Sequence, residues 1–285
     1  MTQEFASISS PELLFDQAHY SIKHGNVTST SGRSVPAIAS DRLALVNFAG
    51  DPGFRPLYDA LCRIQCYNLN PAVMAQPRKS EAFDNLLHDG SNIAGAIRSL
   101  QRNRADFDQI IEYLSEIVPG VESVSPKQVD TYETLEFRQR LTADLRAWKF
   151  SASSMSDGTL RALGALVALF QSGNETPLLI GLEEPEAAVH PAALSVLLRA
   201  ILVASQHRQL LITSHSPDLL DDQSLPVGSV FVADKRRGAT IIGPVDRASQ
   251  SAIKRGDFTV GDLLRQDQLE LELGPDLAPL DVEST

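Results

Sequence analysis

Apolar runs that stop abruptly at charged or hydroxylated residues dominate the second half of this chain. Leu178-Leu179-Ile180-Gly181-Leu182 follows a turn signal (Gly173-Asn174, then Pro177) and ends in Glu183-Glu184-Pro185-Glu186. A short continuous apolar run of this kind predicts a fully buried strand of a parallel sheet. Gln209-Leu210-Leu211-Ile212-Thr213 predicts a second such strand, ending in Ser214-His215-Ser216-Pro217. Between them Pro191–Ser205 reads as a helix. Upstream, the serine- and glycine-bearing loop Ser153 to Arg161 leads into the apolar stretch Ala162 to Phe170, which suits a helix.

The first half is patterned differently. Leu13–His24, Ala37–Phe48 and Arg63–Leu69 read as extended segments, and the Pro-rich stretch Asn70–Phe83 as a loop. Ser91 is placed to cap a helix reaching about Arg102. Ala105–Ile117 predicts a second helix, with Phe107, Ile110, Ile111, Leu114, Ile117 and Val118 at helical spacing. Residues 121–150 alternate as strands, notably Tyr132–Phe137. Val230–Val232 and Ala239–Ile242 predict a hairpin around Lys235–Gly238. Residues 1–11 read as a frayed start and Glu270–Thr285 as a loose acidic end. There is no internal repeat.

Ligands of parallel α/β sheets sit beyond the carboxyl ends of the strands. Glu183, Glu184 and His215 would therefore emerge at one site. Consecutive strand residues face opposite ways, so the two acids have different jobs, one holding a metal and the other orienting a water. The loop at 153–161 opens a helix, and a helix N-terminus with free N–H groups attracts anions. Each piece also has a plainer reading. Paired Glu at a strand end is ordinarily a solvated terminus. Ser-Asp-Gly is an ordinary turn or cap, Ser216-Pro217 a capped helix start, and His190 a packed residue before Pro191.

It is the ordered set that is specific. Ser/Gly loop, helix, acid-tipped strand, helix and His-tipped strand together resemble the C-terminal half of an ABC-type ATPase of the RecF/SMC-like branch, in the form found in many bacterial AAA-family and OLD-like proteins. The resemblance covers most of residues 12–266. It takes in Ser156-Asp157-Gly158-Thr159-Leu160-Arg161 as the signature loop and Glu183-Glu184 as the Walker B pair, with Glu where Asp is commoner. Glu186 to Pro191 matches the D-loop region and His215 the switch histidine. Asp89 to Ala94, Val118-Pro119-Gly120 and Val260 to Leu264 extend the match.

The resemblance implies an α/β fold: an ABC-type P-loop NTPase lobe with a central, mostly parallel sheet, a helical insertion and additional β strands. Residues 1–83 would be the remaining N-terminal β-rich part of the lobe. Residues 84–150 would be a helical lid with return strands, 151–266 the lobe bearing signature, Walker B and switch histidine, and 267–285 an acidic flexible tail. It implies ATP and Mg2+ bound between two chains. Glu183 would hold the metal, Glu184 would act as base and His215 would contact the γ-phosphate. Ser156, Asp157, Gly158 and Thr159 would clamp the nucleotide of the opposite chain, while Glu186 and His190 help communicate across the dimer. On this reading residues 177–183, 209–213 and 229–233 are adjacent strands of one sheet.

One expected segment is missing from these 285 residues. ATPases of this type grip phosphates with Gly-x-x-x-x-Gly-Lys-Ser/Thr. The nearest imitation, Thr30-Ser31-Gly32-Arg33-Ser34, has Val27 where the first Gly belongs and Arg33 in place of Lys. A turn is the better reading. The expectation is a family member without its phosphate-loop segment, inactive alone, completed by a homodimer mate or by a partner chain that carries the loop. The first alternative is a non-catalytic, signature-donating or regulatory subunit, or a truncated pseudo-ATPase. The second is a phosphate-loop-independent metal hydrolase built on Glu183, Glu184, Glu186, His190 and His215.

Composition adjusts this picture only slightly. The formal net charge of −11 gives no overall basic footprint for nucleic acid. The basic stretches Arg98–Arg104, Arg138–Arg146 and Lys235-Arg236-Arg237 read as solvated faces. DNA and an effector nuclease are partners only at family level. Nothing resembles a signal peptide, and no apolar run approaches the ~20 residues of a membrane span. Cys62 and Cys66 lack the partners of a zinc site and suit packed thiols in a reducing cytoplasm.

Overall fold

A computed structural model describes residues 3–9, 16–23, 26–32, 43–80, 85–141, 146–172, 176–236 and 238–272. The chain divides into two compact units, residues 1–65 with 175–179, and residues 66–174 with 180–285. The tail beyond 272, the Gly173-Asn174 turn, and parts of the 1–11, 13–24, 37–48 and 235–238 segments lie outside the described residues.

In the first unit β1 (Gln3–Ser9), β2 (Asp16–Lys23) and β3 (Asn26–Thr30) form an antiparallel meander. Ala18, Tyr20 and Ile22 alternate onto one face of β2 and are buried with Leu45, Phe48 and Phe54. Tyr20 stacks on Phe48 with centroids 4.7 Å apart. Leu45–Phe48 is a helical turn, α1, at the end of a segment read as extended; α2 (Arg55–Cys62) follows, with Pro56 in its first turn. Cys62 is an exposed residue rather than a packed one, as is Cys66 at the start of the second unit.

The second unit holds the chemistry. Its sheet has the order β10-β9-β4, from β4 (Ile64–Tyr67), β9 (Leu179–Glu183) and β10 (Gln209–Thr213). The division between units passes through β4 and β9. At their starts, the Leu178 N–H donates to Arg63 O; at the other end, the Glu184 N–H donates to Thr213 O. Strands that begin together and end together are parallel, as expected for β9 and β10. Ile180 and Leu182 are fully buried, and Gly181 lies against Cys66, where a Cβ would come within 2.9 Å of Sγ. Among the described residues β10 has a neighbour on one side only, and its Leu211 is 62% exposed.

Asn70 caps α3 (Pro71–Met74) through the Ala72 N–H, so a helical turn and the short β5 (Arg78–Lys79) occupy part of the expected 70–83 loop. Then come α4 (Ile93–Leu100) and α5 (Arg104–Ile117). The apolar stripe of α5 buries Phe107, Ile110, Leu114 and Ile117, with Ile111 and Val118 at its margin. The antiparallel strands β6 (Val121–Val129), β7 (Tyr132–Arg140) and β8 (Ala147–Ser151) follow, with Asp130 at φ 54° in the tight turn. The helix α6 (Asp157–Phe170) is buried along nearly its whole length and packs with α5 and α7 (Leu194–Ser205). Its side chains Leu163 and Leu166 join Ile180, Leu182 and Leu197 in the main core. The basic stretches are partly neutralised: Arg98 pairs with Glu133, Arg140 with Glu122, and Arg236 with Asp234.

The chain then runs through α8 (Pro217–Leu220), β11 (Phe231–Arg236), β12 (Ala239–Pro244), α9 (Arg247–Arg255) and α10 (Val260–Arg265). Among the described residues β11 pairs only with β12, so segment 229–233 does not join the central sheet as expected. The hairpin satisfies β11 locally and leaves Phe231 and Ile242 exposed. No helix among the described residues is long and apolar enough to cross a membrane.

Helix α10 is locked to α8 by charge. Arg265 Nη2 lies 2.5 Å from both Asp218 and Asp221, and Thr259 Oγ1 donates to Asp221 at 2.6 Å. The Arg265 hydrogen bond outweighs burial and, with Thr259, holds the Asp221 carboxyl below its ordinary range. A depressed carboxyl contributes stability that is present above its unfolded pKa and is lost as pH falls through the folded value. Arg265→Ala should therefore lower the urea midpoint at pH 7. The gap to the parent should narrow once pH drops below ~3.9, the unfolded reference. Urea titrations at pH 7, 5 and 3 check this; a gap independent of pH would mean the pair contributes nothing through ionisation.

Candidate functional site

The site is assembled at the carboxyl ends of β4, β9 and β10. Glu183, the last residue of β9, is exposed, and its Oε2 accepts a hydrogen bond from Asn68 Nδ2 at 2.8 Å, just past β4. Glu184 follows at φ 41°, a left-handed conformation that costs a non-glycine residue of order 1–3 kcal/mol. Its N–H bond to Thr213 O, 3.0 Å, pins this bend to the end of β10. The strain turns the chain off the strand, so both carboxylates reach solvent.

The turn that follows closes on itself. Ala187 N–H donates to Glu184 O and Val189 N–H to Glu186 O, with Ala188 at φ 64°. Glu186 turns inward and is only 7% exposed. Its Oε1 accepts from Ser214 Oγ at 2.6 Å, and its Oε2 is buried with no hydrogen-bond partner among the described residues. His190 is exposed, and its Nδ1 accepts from the Ala192 N–H at the start of the following helix.

His215 stands exposed in the loop after β10. The Ser216 N–H donates to Ser214 Oγ at 3.1 Å, and Ser216 Oγ caps α8 through the Leu219 N–H. The loop is thus both a capped helix start and the mount of a histidine two residues beyond the strand end that Glu184 touches.

The signature-like loop reaches the same place by backbone. Ser156 is the N-cap of α6: its Oγ accepts from the Thr159 N–H and lies 2.8 Å from Thr159 Oγ1. Ser156 and Asp157 are exposed, whereas Gly158 and Thr159 are buried. Gly158 lies directly under the 184–190 turn: a Cβ there would sit 2.1 Å from the carbonyl oxygen of Ala188. Thr159 is 5% exposed and turned back onto Ser156, so a surface role falls to Ser156 and Asp157.

An open cleft of about 390 Å³ lies beside Asn68, lined also by Asn70, His88, Asp89 and Arg161. Burial opposes ionisation of Asp89, but hydrogen bonds from the Ser91 N–H and hydroxyl, with His88 nearby, hold its carboxyl below the ordinary range. Arg161 Nε is buried without a hydrogen-bond partner among the described residues. Asn68 and Ser214 were not singled out from sequence. The signal for both was present, since each is a polar residue just past a strand, and Ser214 adjoins His215.

Among the described residues no three His, Cys, Asp or Glu side chains come together as a metal group, so the five residues of the metal-hydrolase alternative do not converge. Glu183 alone is an exposed carboxylate with one oxygen held by an amide. That suits a hard cation that takes one or two carboxylates and completes its shell with phosphate oxygens and water.

SMC head structures overlap the chain at low identity. One, from work on ATP-driven dimerization and DNA-stimulated activation of SMC ATPases, is 13% identical, with a TM-score of 0.40 over 55% of this chain and 94% of that one. The SMC head domain from Thermotoga maritima is 13% identical, with a TM-score of 0.42 over 80% and 68%. The Smc head with coiled coil and joint from Pyrococcus yayanosii is 12% identical, with a TM-score of 0.39, and the chain spans 32% of its length. No curated protein matches. The family described as "AAA domain, putative AbiEii toxin, Type IV TA system" matches residues 65–221, more than half of the sequence. The chain belongs to this AAA-domain family.

Proposed function

We propose that this chain supplies the hydrolytic and signature sides of a composite ATP site, and that the phosphate grip comes from residues outside these 285. The observation that carries the reading is convergence. The Glu183-Glu184 turn, the His215 loop and the Ser156–Gly158 loop are tied together at one end of the sheet by Glu184 N–H to Thr213 O and by Gly158 under Ala188 O. In this reading Glu183, braced by Asn68, would hold Mg2+, which would offset the charge of the phosphates. Glu184 accepts a proton from the attacking water. His215 donates to the terminal phosphate, and Ser156 contacts the nucleotide held by the facing chain.

The open side of β10 supports the same reading. A parallel strand with apolar residues on both faces is normally interior, yet among the described residues β10 is an edge with Leu211 exposed. A further strand that ends in a phosphate loop would cover it.

Calorimetry and a phosphate-release assay test the proposal. The 285-residue chain alone should bind ATP–Mg2+ weakly and turn it over at background. Mixed with a homologous chain bearing Gly-x-x-x-x-Gly-Lys-Ser/Thr, it should co-sediment in an ATP-dependent manner, and Ser156→Arg should abolish this while the circular dichroism spectrum stays unchanged. Tight binding and turnover by the chain alone would overturn the division of labour. A folded chain that never associates in ATP and Mg2+ would overturn the composite site.

A further inference from the structure

We infer that Glu186 is a positioning residue that tethers the His215 loop to the Glu183-Glu184 turn, so that the histidine and the acids move as one unit. The inference rests on the reading of Glu184 and His215 as a hydrolytic pair, but the tether itself is present in the chain without nucleotide.

Two contacts join the loops, and they differ in kind. The first is backbone, Glu184 N–H to Thr213 O, and any residue at 184 could make it. The second depends on side chains. Ser214 Oγ donates to Glu186 Oε1 at 2.6 Å and accepts from the Ser216 N–H at 3.1 Å. The serine hydroxyl has one proton; its donation to Glu186 leaves its lone pairs for the Ser216 amide. The chain of bonds thus runs from the acid turn, through Ser214, to the residue on the far side of His215. With Glu186 removed, the Ser214 hydroxyl loses its fixed acceptor and is free to rotate, and the turn that presents His215 loosens.

The energetics point the same way. Oε2 of Glu186 is buried and accepts nothing among the described residues, in a side chain only 7% exposed. A half-satisfied buried carboxylate is unfavourable for folding. A glutamate at this position does not follow from stability, and residues that violate local rules concentrate at functional sites. The turn around it carries two further departures, the left-handed Glu184 and Ala188.

Amide hydrogen exchange and His215 ring NMR signals in the isolated chain test the tether. Glu186→Ala should speed exchange of the Ser216 amide by about tenfold and shift the His215 ring signals. Glu186→Met, close to glutamate in size but without the acceptor, should do the same, and it carries the test should Glu186→Ala fail to fold. Glu186→Gln keeps an acceptor oxygen for Ser214 and should hold exchange within about threefold of the parent. A carboxylate that merely fills space would leave Ser216 exchange at the parent rate in Glu186→Ala and Glu186→Met, which would overturn the inference. A Glu186→Gln chain as loose as Glu186→Ala would overturn it too. Nucleotide takes no part in these measurements, so failure of the composite-site reading would leave them untouched.

Discussion

Gly158→Val should destabilise the chain by about 3 kcal/mol or more, more than any other single change in the signature-like loop. The reason is what faces the glycine. A Cβ would lie 2.1 Å from the Ala188 carbonyl oxygen, 2.8 Å from its carbon and 3.3 Å from Val189 N, all backbone atoms. Side chains can rotate away from an added methyl, but a carbonyl fixed in a closed turn cannot. Either α6 withdraws from a core in which nearly all its residues are buried, or the 184–190 turn is pushed off it. Urea unfolding of Gly158→Ala and Gly158→Val, beside Asp157→Ala as an exposed neighbour, gives the comparison. Asp157→Ala should cost only about 0.3–1 kcal/mol, the loss of an acid in the first helical turn. A Gly158→Ala chain within ~0.5 kcal/mol of the parent, the range of an ordinary surface change, would mean that the close approach is absent in solution. The same contact warns against reading function from this glycine: a variant inactive at 158 has lost the turn that carries Glu184 as well as the loop, and Ser156 is the cleaner probe.

That contact marks the limit of what was legible in the sequence. Runs of apolar residues bounded by turn chemistry gave β9 and β10 with their polar tips, and helical spacing gave α5 and its buried stripe. Such patterns are local, and periodicity reports them. Pairings between distant segments leave no periodic trace. Nothing in the sequence tells that Gly158 lies under Ala188 or that Asn68 holds Glu183, 115 residues away. Glu186 looks like its solvated neighbours in the row of acids, and only the fold turns it inward onto Ser214. Two misreadings have simpler causes. The prolines in 70–83 suggested a loop, although Asn70 followed by Pro71 is also a cap and a first helical position, which is what forms. The resemblance placed 229–233 in the central sheet, but the hairpin partner also read from the sequence, Ala239–Ile242, takes its hydrogen bonds.

The largest functional effect expected is at Glu184. In the composite assembly proposed above, Glu184→Gln should cut ATP turnover by roughly 10²–10⁴-fold, the range of a general base, while ATP-dependent association persists. Glu183→Gln should behave differently: its carboxylate is the one braced by Asn68, so its loss should weaken association and raise the Mg2+ concentration required. Asn68→Ala should follow Glu183→Gln in direction, since it frees the carboxylate that the amide orients. The geometry makes the comparison clean. Both glutamates are exposed, so an amide at either position buries no new polar group. The N–H of residue 184 that bonds Thr213 is retained, and glutamine occupies φ 41° at the same cost as glutamate. Urea midpoints of the two variants should therefore match the parent within ~0.5 kcal/mol. Turnover within about threefold of the parent in Glu184→Gln, with association intact, would show that another group takes the proton. His215 is the next candidate, two residues past the strand end to which Glu184 is bonded. The double variant Glu184→Gln with His215→Ala would then separate a base from a phosphate contact, because replacing a base that acts alone leaves nothing further for the second substitution to remove.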